Sequence, residues 1–165
     1  MNVLLRGALR GAAAGAAGTT ALNAVTYLDM TARARAASNT PADTVDALAQ
    51  RAGLKIPGSS EQRGNRLTGL GALTGIAAGV GVGALLGVAR ATRWHPRPIT
   101  TALVATIGAL LAGNAPMTLL GVTDPRTWAA TDWAADIVPH LAYGAVAAWT
   151  FKTEADHAGR DDTGV

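Results

Sequence analysis

Glycine recurs at every fourth residue of this chain, at Gly71, Gly75, Gly79, Gly83 and Gly87, inside a run from Leu67 to Ala89 that carries no charge. A four-residue step keeps these positions along one ridge of a helix. Without side chains on that ridge, a second helix backbone can come close. The uncharged run is long enough to cross a hydrocarbon core about 30 Å thick. The feature therefore predicts a membrane helix that packs tightly against a neighbour. Each step also advances about 40° around the axis, so the ridge winds about 160° from Gly71 to Gly87. One straight neighbour cannot follow it, and a different neighbour is expected at each end. A seam in a homo-oligomer and the lining of a pore are the other uses of such a ridge.

A second ridge lies earlier, at Gly7, Gly11 and Gly15, and continues through Thr19, Asn23 and Tyr27. The two ridges are expected to meet. Around them the chain offers four apolar segments, at about 11–30, 67–89, 98–122 and 131–151. The expected fold is all-α: an integral membrane four-helix bundle in a single membrane domain, residues 1–152. Arg6 and Arg10 before a weakly apolar Ala/Gly stretch imitate a signal sequence. No convincing small-residue cleavage site follows, so a retained first helix is expected.

The first connection is long and contains one more helix. Thr40-Pro41-Ala42-Asp43 reads as an N-cap, a proline at N1 and an acid in the first turn. Val45, Leu48, Ala49 and Ala52 share a face, and Gly53 suits the stop, giving a short amphipathic helix over about 41–52. Ser59 with Gln62 has the spacing of a capping box. The polar tail over 153–165 is expected to be disordered.

Composition removes several kinds of chemistry. There is no cysteine, which excludes disulfides, thiolate metal sites and cysteine nucleophiles. His95, His140 and His157 stand far apart without metal-ligand spacing, so neither a metal nor a cofactor is expected. The pI near 10 comes from basic residues that flank apolar segments rather than forming one stripe. Anionic lipid headgroups, and not nucleic acid, are the expected counter-charge. Lys and Arg are balanced between the two sides. Their nearness to helix ends places both termini in the cytoplasm of a multi-pass protein of the cell membrane.

One segment carries chemistry. Asp132, Asp136, His140 and Tyr143 share a face of the last helix, and Trp133 and Trp149, about 24 Å apart along it, bracket the segment with Asp132 at its boundary. Ionisable groups at membrane depth are costly, which makes Asp136 and His140 candidates for function. Pro139 leaves the Ala135 carbonyl without its helical donor. With alternating helix directions, Asn23, Thr74 and Asn114 lie toward the same side. The expected site is thus a buried polar cluster of Asn23, Thr74, Asn114, Asp136, His140 and Tyr143. Ser38, Ser59 and Ser60 lie in the first connection, away from the expected depth of His140, which disfavours Ser/His/Asp catalysis.

The run Asp136-Ile137-Val138-Pro139-His140-Leu141-Ala142-Tyr143-Gly144, together with the Gly-rich first helix and its Thr19-Thr20, resembles the small YagU-like inner-membrane proteins. That resemblance implies four membrane helices without an established activity, and it supplies no catalytic residues. The leading expectation is a non-enzymatic membrane protein with an accessory or structural role. The alternatives are a proton- or ion-coupled permeation protein using Asp136 and His140, and a membrane enzyme acting on lipids.

Overall fold

The computed structural model describes residues 2–161, with side chains through Thr153. Among the described residues there are five α-helices and no strand. They are α1 (Val3–Arg33), α2 (Thr40–Arg51), α3 (Ser60–Ala91), α4 (Pro98–Leu119) and α5 (Ala130–Asp161), with a single 3-10 turn at Pro125–Thr127. The chain is all-α as expected, but several boundaries move. The first segment starts at Val3 instead of 11, because nothing after Asn2 breaks a helix and the Asn2 side chain caps the Leu4 N–H. The third membrane segment ends at Leu119, where Gly121 takes φ +73° and Val122 N–H bonds the Met117 carbonyl at 2.9 Å. The last helix runs on through the start of the expected polar tail to Asp161, and residues 162–165 lie outside the described residues.

Local signals position these helices. Ser59 Oγ accepts from Gln62 N–H while the Gln62 side chain accepts from Ser59 N–H, so α3 opens with the expected capping box. α2 starts one residue earlier than read. Its N-cap is Asn39, without a side-chain cap, and Ser38 Oγ accepts from Thr40 N–H instead. Its stop follows the glycine: Gly53 at φ +68° turns Leu54 N–H back onto the Ala49 carbonyl at 2.8 Å, a Schellman closure. Arg63 from α3 pairs with Asp46, which binds α2 to α3 and holds the Asp46 carboxyl below its ordinary range.

α1 packs against α3 and α5, α5 also packs against α4, and α3 touches α2 and α4. The α1–α3 contact is made through backbone. A Cβ built on Gly7 would stand 2.6 Å from the Gly87 carbonyl oxygen, and one on Gly15 would stand 2.6 Å from that of Gly79. One built on Gly83 would lie 2.5 Å from the Gly15 Cα. Numbers rising on α1 while falling on α3 make the pair antiparallel. Gly71 faces a different neighbour, the Pro41–Ala42 backbone of α2. The ridge therefore serves α2 at one end and α1 at the other. Gly75 corrects the expectation: it is exposed, with nothing within 4 Å of an added Cβ. It lies where the winding ridge has left α2 and not yet reached α1.

Small residues also make the interior. Ala14, Ala105 and Ala147 are fully buried, with Leu86, Tyr143 and Phe151 around them. Gly18 lies under the Tyr143 ring, and Gly144 of α5 lies against Thr106 and the Ala102 carbonyl of α4. These two glycines stand outside both four-residue ridges, so ridge spacing did not mark them.

α3 and α4 are long and apolar enough to cross a membrane, with mean hydropathies of 1.9 and 1.5 over their best stretches. α1 and α5 fall short of that measure. Alanine, glycine and threonine dilute α1, while Asp132 and Asp136 dilute the start of α5.

Gly83→Ala should destabilise the protein by about 1–3 kcal/mol, because the methyl meets backbone rather than a movable side chain. Gly75→Ala should be neutral or slightly stabilising. Thermal unfolding of the detergent-purified variants checks both, and equal behaviour would refute the backbone contact.

Candidate functional site

Asp136, His140 and Asn114 form a contiguous polar trio between α4 and α5. Asn114 Nδ2 donates to Asp136 Oδ2 at 2.8 Å across the helix pair. Asp136 Oδ1 stands 3.5 Å from His140 Nδ1, one helical turn along. The same Nδ1 lies 2.7 Å from the Asp136 backbone carbonyl, which can only accept, so Nδ1 carries a proton. Nε2 then faces the Gly113 position of α4, 3.9 Å from an added Cβ. A neutral imidazole in this tautomer keeps the Nε2 lone pair available, and a charged one donates from both nitrogens.

The local sequence explains the arrangement. The i, i+4 step aligns Asp136 with His140, and α5 continues through Pro139 between them. α4 likewise continues through Pro116. Each proline withholds one N–H, from the Ala135 carbonyl in α5 and from Ala112 in α4. Gly113 leaves room beside the imidazole. Asp136 and His140 side chains retain 18% and 14% exposure, so the trio is largely covered without being sealed.

The rest of the expected cluster is elsewhere. Thr74 is exposed, and its hydroxyl donates to the Gly71 carbonyl of its own helix. Its place just beyond the contact with α2 leaves it on the uncovered side of α3. Asn23 is half-buried on α1 and hydrogen-bonds to none of the trio. Shared depth along the axis does not bring residues together when the rotation of their own helices turns them to other surroundings. Tyr143 is fully buried and one turn from His140, yet its hydroxyl donates to the Gly79 carbonyl at 2.7 Å. It ties α5 to α3 under α1 and stands apart from the trio.

Thr19 does more than continue the α1 ridge. Its Oγ1 donates to the Gly15 carbonyl and occupies the space a Cβ on Gly79 would need. Gly79 is thus the point where α1, α3 and α5 meet. No group of three or more potential metal ligands occurs among the described residues.

A cleft of about 300 Å³ opens between α1 and α5 near the trio's end of the molecule, lined by Val25, Ala135, Val138 and Pro139. Its rim holds Asp29, whose carboxylate is already engaged by Arg33 at 2.7 Å and Arg35 at 2.6 Å. Among its lining residues the one acid is Asp29, already paired, and Thr131 adds a hydroxyl.

Comparison with known proteins returns no matching family model, no matching curated protein and no matching solved structure. The likeness to the YagU-like proteins rests on the sequence motif alone.

A double-mutant cycle should resolve the trio. Asn114→Ala and Asp136→Asn should show a coupling of roughly 1 kcal/mol in unfolding free energy. Asn23→Ala paired with Asp136→Asn should show none. Tyr143→Phe should cost about 1 kcal/mol through the lost bond to Gly79. Additive behaviour of Asn114 and Asp136 would break the trio as drawn.

Proposed function

We propose that the protein is a multi-pass membrane protein in which α1, α3, α4 and α5 form one bundle, with an accessory or structural role. One observation carries this reading. The most apolar stretches of α3 and α4 are only 22% and 17% buried within the protein, leaving Leu73, Ile76, Leu85, Ile99, Ile107 and Leu111 on the outside. The core helix of a water-soluble protein hides such stretches, and uncovered apolar surface on this scale calls for lipid. α1 and α5 enter the same environment because they pack against these helices. Their polar groups find partners inside the chain: Thr19 and Thr20 bond carbonyls one turn back, and Asp136 has Asn114. α1 and α3 are each about 46–48 Å long at 1.5 Å per residue, longer than the hydrocarbon core. Their ends therefore project, which accommodates Arg33 and Arg63. The resemblance of the Asp136–Gly144 run to the YagU-like proteins points the same way.

The orientation we infer puts both termini and the α3–α4 connection in the cytoplasm, since Arg6, Arg10, Arg90, Arg93 and Arg97 cluster there close to helix ends. The absence of native cysteine makes the test direct. In intact cells, a membrane-impermeant maleimide should label Lys55→Cys and spare His95→Cys until the membrane is opened. The reverse pattern would invert the topology. Release of the wild-type protein by an alkaline carbonate wash would overturn the membrane reading itself.

A second reading is proton or ion permeation through Asp136 and His140. It is favoured by the trio's residual exposure and by an acid and an imidazole in contact at membrane depth. Reconstituted vesicles should then pass protons, and Asp136→Asn should reduce that flux at least tenfold, the scale of a lost titrating relay. Absent flux, or flux unchanged in the variant, leaves the trio as structural glue.

A further inference from the structure

Charge is divided unevenly between the two ends of the molecule. Asp29, Asp43, Asp46, Glu61, Asp124, Asp132 and Asp136 all lie in the half holding α2 and the α4–α5 connection. The arginine–aspartate ion pairs among the described residues lie there too: Asp29 with Arg33 and Arg35, Asp46 with Arg63, and Asp124 with Arg126. The opposite end holds Arg6, Arg10, Arg90, Arg93, Arg97 and Lys152, and no acid up to Thr153. The acids from Glu154 onward follow in the tail.

Two of these cations face one cavity. Arg90 at the end of α3 and Lys152 on α5 line a pocket of about 150 Å³, closed by Pro96, Pro98, Thr101 and Ala148. Thr101 and Ala148 are both buried. The Arg90 guanidinium carbon stands 5.0 Å from the centre of the Phe151 ring, and Phe151 is itself buried. That cation–π contact holds the guanidinium over the residue that precedes Lys152 instead of leaving it to sweep through solvent. Two positive groups on one small cavity repel each other unless an anion stands between them. Arginine and lysine together suit a phosphate: one gives a fork of N–H donors, the other a point charge.

The surroundings say where that phosphate comes from. Trp149, 66% exposed, lies one turn before Lys152 on α5, and Trp94, 38% exposed, lies in the connection after Arg90. Exposed tryptophans of this kind mark the headgroup layer of a membrane. Beside them, Ile99 and Leu103 leave an apolar surface running down α4 from the pocket, where an acyl chain can lie.

We propose that the Arg90–Lys152 pocket binds the phosphate of an anionic phospholipid, with its acyl chains along the outer face of α4 and α5. This site rests on the membrane reading above and deepens it by naming the lipid class and the residues that select it.

The test uses the full chain, purified in neutral detergent, with thermal unfolding followed as phosphatidylglycerol or phosphatidylcholine is added. Wild type should be stabilised at lower concentrations of phosphatidylglycerol, by roughly tenfold or more, as two cations near a headgroup supply. Lys152→Gln, on an exposed side chain, should lose most of that preference. Arg90→Gln with Lys152→Gln should abolish it. Arg6→Gln removes one charge from the same end outside the pocket and should keep it. Glycerol phosphate, which has the anion without acyl chains, should give a weaker shift at equal concentration. An equal shift would assign the pocket to soluble phosphates. Equal loss in Arg6→Gln would reduce the effect to diffuse attraction, and no preference in wild type would overturn the site. Carbonate extraction of the same variants separates the two ideas. A protein that stays in the membrane without lipid preference refutes only the pocket, and one released by carbonate refutes the membrane reading.

Discussion

The backbone contact between α1 and α3 is the constraint on which the remaining geometry depends. Gly7, Gly11 and Gly15 face Gly87, Gly83 and Gly79 with no space for a methyl group between them. Helices that touch along glycine ridges gain dispersion contacts and exclude lipid, but they leave little room for adjustment. The rest of α1 is then aimed by that contact. Gly18 meets the Tyr143 ring, and Tyr143 reaches past it to the Gly79 carbonyl. One hydrogen bond thus locks α5 onto the junction that the glycines create. α4 is held in turn through Gly144 against Thr106 and through Asn114 on Asp136.

Polar groups follow from this order of assembly. Asp136, His140 and Tyr143 stand on one stretch of α5, yet they serve different partners because α5 is packed between α1 and α4. The buried tyrosine points to the glycine junction, and Asp136 turns to α4. Equal depth in a membrane is not contact. α3 presents Thr74 outward, and Asn23 finds no partner in the trio.

Local chemistry was legible wherever one helix decided it. The capping box at Ser59 and Gln62, the stop at Gly53 and the i, i+4 pairing of Asp136 with His140 need only sequence neighbours. The two-neighbour use of the winding ridge followed from helix geometry, since a four-residue step drifts around a 3.6-residue turn. Gly75 was misread for the same reason: periodicity says which residues share a ridge, but not which part of it lies in a gap between neighbours. Gly18 and Gly144 had no period to mark them and are close approaches only because a tyrosine and a threonine of other helices lie there.

The sequence by itself determined that this chain forms long small-residue helices, that Ser59 opens one and Gly53 stops another, and which residues share a ridge. Those properties arise from hydrogen bonds and periodicity within one segment. Only the tertiary structure decided that Asn114 alone joins Asp136 and His140, that Tyr143 belongs to the glycine junction, and that Arg90 and Lys152 share a cavity. Each of these depends on the rotation of one helix against another, which contacts far apart in the chain fix together.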